Sequence, residues 1–105
     1  MKIKQVWDDG VAFDNGKHIC TCHRQCCCEE NYADFTQLEE DALTYDFNED
    51  LKFEEVAGSG FRFGDERRMF FIPCYSIQNG YYSMDVEVWY DGKQMLEAEA
   101  EWQLK

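Results

Sequence analysis

Five of the six cysteines, Cys20, Cys22, Cys26, Cys27 and Cys28, fall within nine residues, and the only two histidines, His18 and His23, lie in or beside the same stretch, HICTCHRQCCC. Soft metal ligands are thus gathered at one point of the chain. Zinc takes four sulfur or nitrogen ligands at about 2.0–2.3 Å in a tetrahedron. A strand followed by a bend can supply all four locally. Cys22-x3-Cys26 and His23-x2-Cys26 are spacings that a zinc loop uses. The expected ligands are four of Cys20, Cys22, His23, Cys26 and Cys28, with Cys27 turned inward as a small hydrophobe. Free or redox-active thiols and disulfides are the alternatives. Disulfides between the adjacent Cys26, Cys27 and Cys28 are strained, because neighbouring Cβ vectors diverge in an extended chain. Glu29 and Glu30 follow the cluster and would suit a base beside zinc-bound water. However, neither the H-E-x-x-H pattern nor the zinc-deaminase pattern is present. A thiolate-rich site is usually closed and structural, so no enzymatic activity is expected. Cys74 stands apart and reads as core.

The elements that must position these residues are short. Turn signals recur at Asp9-Gly10, Asn15-Gly16, Gly58-Ser59-Gly60, Asn79-Gly80 and Asp91-Gly92, with β-branched and aromatic runs between them. This spacing predicts an antiparallel meander. Strands are expected near 2–7, 11–14 and 17–23, over 68–78 and over 81–90. The 17–23 strand places His18, Cys20 and Cys22 on one face. A two-residue Asn79-Gly80 turn would pair Tyr75 with Met84 and Phe71 with Val88. After 81–90, apolar matching needs Val88 opposite Leu96, Val86 opposite Ala98 and Tyr82 opposite Trp102. A three-residue loop at Asp91-Gly92-Lys93, with Gly92 at positive φ, delivers that register. Pro73 points to an edge or a bulge. Thr36-Gln37-Leu38-Glu39 reads as a capping box that opens a short helix over 37–45. The predicted fold is a single α+β domain over 1–105, mostly antiparallel β meander with one short helix, pinned by the Cys/His zinc site.

Charge is concentrated as well. The net charge is −12, and residues 29–66 hold thirteen acids against two bases, Lys52 and Arg62. Direct nucleic-acid binding is therefore excluded, since phosphates need a basic surface. A surface that competes with nucleic acid for a basic groove is permitted. The expected contact residues are Glu39, Glu40, Asp41, Asp46, Glu49, Asp50, Glu54 and Glu55. Tyr81 and Trp89, on the more polar face of their strand, are candidate partner anchors. No apolar run approaches the roughly 18 residues of a membrane span. The cysteine usage fits a reducing cytosol.

Two segments, His23-Arg24-Gln25-Cys26-Cys27-Cys28-Glu29 and Asn79-Gly80-Tyr81-Tyr82-Ser83 leading into Val86 and Val88, resemble a family of small domains common in phage genomes. That resemblance implies a phage or prophage origin. The whole chain, by general similarity and charge, also resembles the small acidic type II-A anti-CRISPR proteins encoded by streptococcal prophages. What this implies is inhibition of a type II RNA-guided Cas nuclease by protein–protein contact; the expected place of action is the host bacterial cytoplasm, and the zinc expected from the Cys/His cluster would hold the fold without taking part in inhibition. The alternatives are an acidic zinc-binding phage protein that inhibits another DNA-binding host protein, such as a restriction enzyme, and a small zinc enzyme.

Overall fold

The computed structural model describes residues 1–22, 30–78 and 85–104. Its strands are β1 (Ile3–Trp7), β2 (Gly10–Phe13), β3 (His18–Cys22), β4 (Glu30–Ala33), β5 (Lys52–Val56), β6 (Gly60–Gly64), β7 (Met69–Gln78), β8 (Asp85–Tyr90), β9 (Lys93–Glu99) and β10 (Glu101–Leu104). They form two sheets. The first runs β1-β2-β3-β8-β9, and its neighbours are antiparallel throughout. The second runs β10-β7-β6-β5, and β4 also pairs with β7. The β10–β7 pair is parallel.

Alternation in the sequence explains which faces meet. β3 buries Ile19 and Thr21 and exposes His18, Cys20 and Cys22. β8 buries Val86, Val88 and Tyr90. β7 buries Phe70, Ile72, Cys74, Ser76 and Gln78. The apolar residues among these join one core shared by both sheets, and Thr21, Ser76 and Gln78 are buried polar residues beside them. Phe47, from the segment before β5, gathers its aromatic part. It stacks on Phe63 at 5.6 Å and meets Phe13, Tyr45 and Phe70 edge-on at 5.6, 4.7 and 5.5 Å.

The α+β expectation is corrected: the fold is a β-rich domain. Among the described residues the only helical pieces are two 3-10 turns, Phe35–Gln37 and Glu40–Leu43. Asp34, not Thr36, caps the first turn, accepting from the Thr36 amide at 3.1 Å and from the Thr36 hydroxyl. Leu38 and Glu39 are extended, with ψ of 131° and 136°. The capping box therefore never closes, and the 37–45 helix is interrupted. The zinc pin is corrected with it. Among the described residues no three potential ligands come together around a metal, and the two sheets are joined by the apolar core instead.

Two strand pairings also differ from expectation. β7 and β8 lie in different sheets. Phe71 pairs with Arg62 and Val88 with Thr21, so the hairpin over Asn79-Gly80 does not form its expected Phe71–Val88 pair; residues 79–84 lie outside the described residues. The β8–β9 register is as expected, with Val88 opposite Leu96 and Val86 opposite Ala98. The device is different, however. Tyr90 pairs with Lys93, so the loop is the two residues Asp91-Gly92, both at positive φ (51° and 79°), as a type I′ turn requires. The extra residue is absorbed by a bulge between Val88 and Trp89. Beyond Ala100 the chain changes sheets, and Trp102 pairs with Ser76 rather than with Tyr82. Pro73 marks the point where β7 exchanges β6 for β4 as partner. A residue without an N–H fits such a junction.

Candidate functional site

The cysteine strand lies inside the first sheet, between β2 and β8. Cys20 and Cys22 are exposed on its outer face. Cys20 is in register with Trp89, and Cys22 with Glu87. The Cys22 thiol donates to Glu87 Oε1 at 3.7 Å, and the same oxygen accepts the Trp89 indole N–H at 3.0 Å. Burial, followed by the charge of Glu87, raises the Cys22 thiol pKa. Burial, followed by Asp9, raises that of Cys20. Of the five expected zinc ligands, these two stand together at the sheet surface; His23, Cys26 and Cys28, with Cys27 and Glu29, lie outside the described residues. Trp89, expected as a partner anchor, is half-buried and tied to Glu87, and Tyr81 also lies outside the described residues. Cys74 is fully buried, as expected.

All eight expected contact acids are exposed, yet they are not equivalent. Arg68 holds both Glu39 (2.6 Å) and Asp41 (3.2 Å). The Met1 ammonium holds Asp46 at 2.8 Å. Arg62 pairs with Glu54 across the β5–β6 ladder. Among the described residues Glu40, Glu49, Asp50 and Glu55 form no ion pair. Glu49 accepts weakly from Asn15, and Asp50 lies between two surface grooves of 370 and 250 Å³. Glu49, Asp50 and Asp91 share the smaller groove. Glu55 reaches β9, where its carboxylate accepts the Glu99 amide at 3.3 Å.

That contact leads to acids the sequence reading did not single out. On the outer face of the first sheet Glu87 stands opposite Glu97, and Asp85 opposite Glu99. Like charges directly opposite each other destabilise a sheet, and Glu87 and Glu97 form such a pair, with Glu55 bordering Glu99 in the next row. The signal for them was present once the β8–β9 register had been deduced, since that register alone places each acid across from another. The acidic face is thus built from β5, β8 and β9; the groove shared by Glu49, Asp50 and Asp91 also holds Lys17 and Lys93. A thiol pair stands at one end of the carboxylate rows.

Comparison with protein-family models, with curated proteins and with solved structures finds no match. The fold and this face define a small β-rich domain with a carboxylate-lined sheet surface. No helix among the described residues is long and apolar enough to cross a membrane.

Proposed function

We propose that this chain is a phage anti-CRISPR protein that binds a type II RNA-guided Cas nuclease in the host bacterial cytoplasm and blocks target-DNA loading through its acidic surface. The observation that carries the reading is the double row of opposed carboxylates, Glu87–Glu97 and Asp85–Glu99. Glu87 opposite Glu97 is a like-charge pair that costs the free protein stability, and a basic partner surface would relieve it. A nuclease of this class holds its guide–target heteroduplex in a positively charged channel. Carboxylates at strand spacing in that channel would compete with phosphates. The contact set proposed from the sequence keeps Glu40, Glu49, Asp50 and Glu55 as its unpaired members, and Asp85, Glu87, Glu97 and Glu99 extend it. The mode is binding rather than catalysis.

The test is a titration of the protein into guide-loaded nuclease, with DNA binding and cleavage both followed. Loss of both supports a block of loading. Glu97→Lys and Glu99→Lys should each weaken inhibition, and added salt should weaken it further. No inhibition of any type II orthologue would overturn this target; capture of a restriction enzyme would then favour the other DNA-binding partner.

We also propose that zinc binds at the cysteine cluster, with Cys20 and Cys22 as two ligands and His23, Cys26 and Cys28 as the source of the rest. Two adjacent outward thiols fit a soft dication, and the nearby Asp9 and Glu87 carboxylates attract it. Zinc there would fix the chain leaving β3. Thiols kept protonated must release protons on binding, so zinc uptake should weaken as pH falls. Chelator competition on the wild type and on Cys20→Ser reads this directly; equal zinc affinity in both would remove Cys20 from the set.

A further inference from the structure

We propose that the 250 Å³ groove where the β2–β3 turn, the segment before β5 and the β8–β9 turn meet binds a free zwitterionic α-amino acid with an apolar side chain. The three loops supply its charged walls: Lys17 from the first, Glu49 and Asp50 from the second, Asp91 and Lys93 at the third. The floor is apolar. Leu51 and Tyr90 are buried there, and the exposed Met95 lines the groove with them. Tyr90 is fixed in place. Its hydroxyl donates to the Glu49 carbonyl oxygen at 2.9 Å, and its ring meets those of Phe13 and Phe53 at 6.3 and 5.8 Å. Burial, followed by the charges of Asp91, Glu49 and Asp50, pushes the phenol up to about 12, so the floor stays neutral.

The walls carry both signs of charge, and these charges do not meet. Among the described residues none of the five charged groups forms an ion pair, whereas Lys52, Arg62, Arg67 and Arg68 all do. Hydrogen bonds fix the backbone at each wall. The Lys17 amide donates to Asn15 Oδ1 at 3.1 Å, the Asp50 amide to Asn48 Oδ1 at 3.0 Å and the Asp91 amide to the His18 carbonyl oxygen at 3.1 Å. The Lys17 ammonium lies 5.9 Å from the centre of the Tyr90 ring, over the floor. Two ammoniums and three carboxylates therefore line one groove across a gap that the protein itself leaves unbridged.

That arrangement selects a ligand carrying both charges. A simple anion would face three carboxylates, and a simple amine would face two ammoniums. An α-amino acid has a counter-ion for each end, and hydrogen bonds between ionised groups are stronger than neutral ones. Its side chain would rest on Leu51, Tyr90 and Met95. The volume is below the roughly 300–1,000 Å³ of sites for drug-sized ligands, which suits a single amino acid. Glu49 and Asp50 also belong to the contact set proposed for the nuclease, but amino-acid binding needs no nuclease, so either reading can fail alone.

The probes are L-leucine, isocaproate, which lacks the ammonium, and isoamylamine, which lacks the carboxylate. Each is titrated into the isotope-labelled full chain and followed by amide chemical shifts. Leucine should bind saturably with a Kd on the order of 1 mM, as a ligand of its size supports, with its largest shifts at Lys17, Asp50, Asp91 and Met95. Isocaproate and isoamylamine should each bind about tenfold more weakly or worse. Lys17→Gln should remove most of the advantage of leucine over isoamylamine, and Asp91→Asn most of its advantage over isocaproate. Lys4→Gln, outside the groove, should change neither. Asparagine tolerates the positive φ at position 91, and none of these side chains belongs to the core, so the variants should fold; an unchanged melting curve confirms that, and either groove variant suffices if the other fails. No saturable shift with leucine, shifts centred elsewhere, equal affinity for the three probes, or selectivity that survives the groove substitutions overturns the site.

Discussion

Asp65 is a buried carboxylate on which three parts of the chain converge. It accepts from the Tyr45 hydroxyl (2.7 Å), the Asn48 amide (3.2 Å), the Arg67 amide (2.9 Å) and the Arg67 guanidinium (3.2 Å). Burial by itself would raise its pKa; these donors overcome that and hold it well below the usual carboxylate range. Because the folded pKa is depressed, the stability it confers is complete above the ordinary value, about 3.9, and is lost as pH falls below it. Asp65→Asn should therefore cost about 2–3 kcal/mol at neutral pH and flatten the acid limb of the stability curve. Chemical denaturation of both proteins across that range checks it. Thiol chemistry divides in a related way. Burial pushes Cys74 up to about 12, so a thiol reagent should reach Cys20 and Cys22 in the native state and modify Cys74 only on unfolding, as peptide mapping after labelling would show.

At the scale of elements, glycine placement controls register. Gly60 opens β6 at φ 143°, opposite Pro73. A Cβ there would lie 2.2 Å from the Ile72 carbonyl oxygen and 2.8 Å from the Cys74 nitrogen. Both obstacles are backbone, so they cannot swing aside. Gly60→Ala should cost about 3 kcal/mol or more, combining strain at positive φ with displacement of β7. Gly92 makes the contrast. It also has positive φ, but a Cβ would meet nothing within 4 Å, so Gly92→Ala should cost only about 1 kcal/mol. Equal melting temperatures for the two variants would contradict this ordering. The missing helix belongs to the same scale. Thr36 and Glu39 have the types and spacing of a capping box, but Asp34, two residues before Thr36, captures its amide, and Arg68 engages Glu39 from 29 residues away.

For the whole molecule, the acidic face sets stability against binding. Glu97→Lys replaces a like-charge pair with an ion pair opposite Glu87, and should raise stability by roughly 0.5 kcal/mol while weakening inhibition of the nuclease. A variant that gained stability and inhibited unchanged would detach the carboxylate rows from function. Metal removal is the complementary measurement. The shared core is apolar and aromatic, so chelation should leave the sheet signal in circular dichroism intact, and a collapse of that signal would restore metal as a determinant of the fold.

Local chemistry was enough to specify much of this protein. The strands near 2–7, 11–14 and 17–23, the outward alignment of His18, Cys20 and Cys22, the burial of Cys74 and the Val88–Leu96 register all follow from alternation and turn residues. Those are short-range constraints with a period of two. The Asp91-Gly92 turn shows their limit, since one register can be reached by a longer loop or by a bulge, and alternation alone does not choose. Tertiary structure decided the rest. β7 and β8 are consecutive, yet they lie in different sheets, with Phe71 opposite Arg62 and Val88 opposite Thr21, an arrangement no local pattern encodes. The acids illustrate the same limit. In the sequence they form one block over 29–66, but folding neutralises Glu39, Asp41, Asp46 and Glu54 and brings Asp85, Glu87, Glu97 and Glu99 together from another part of the chain. Charge is a property of residues, whereas a charged surface is a property of how strands are ordered and which cations the fold sets beside them.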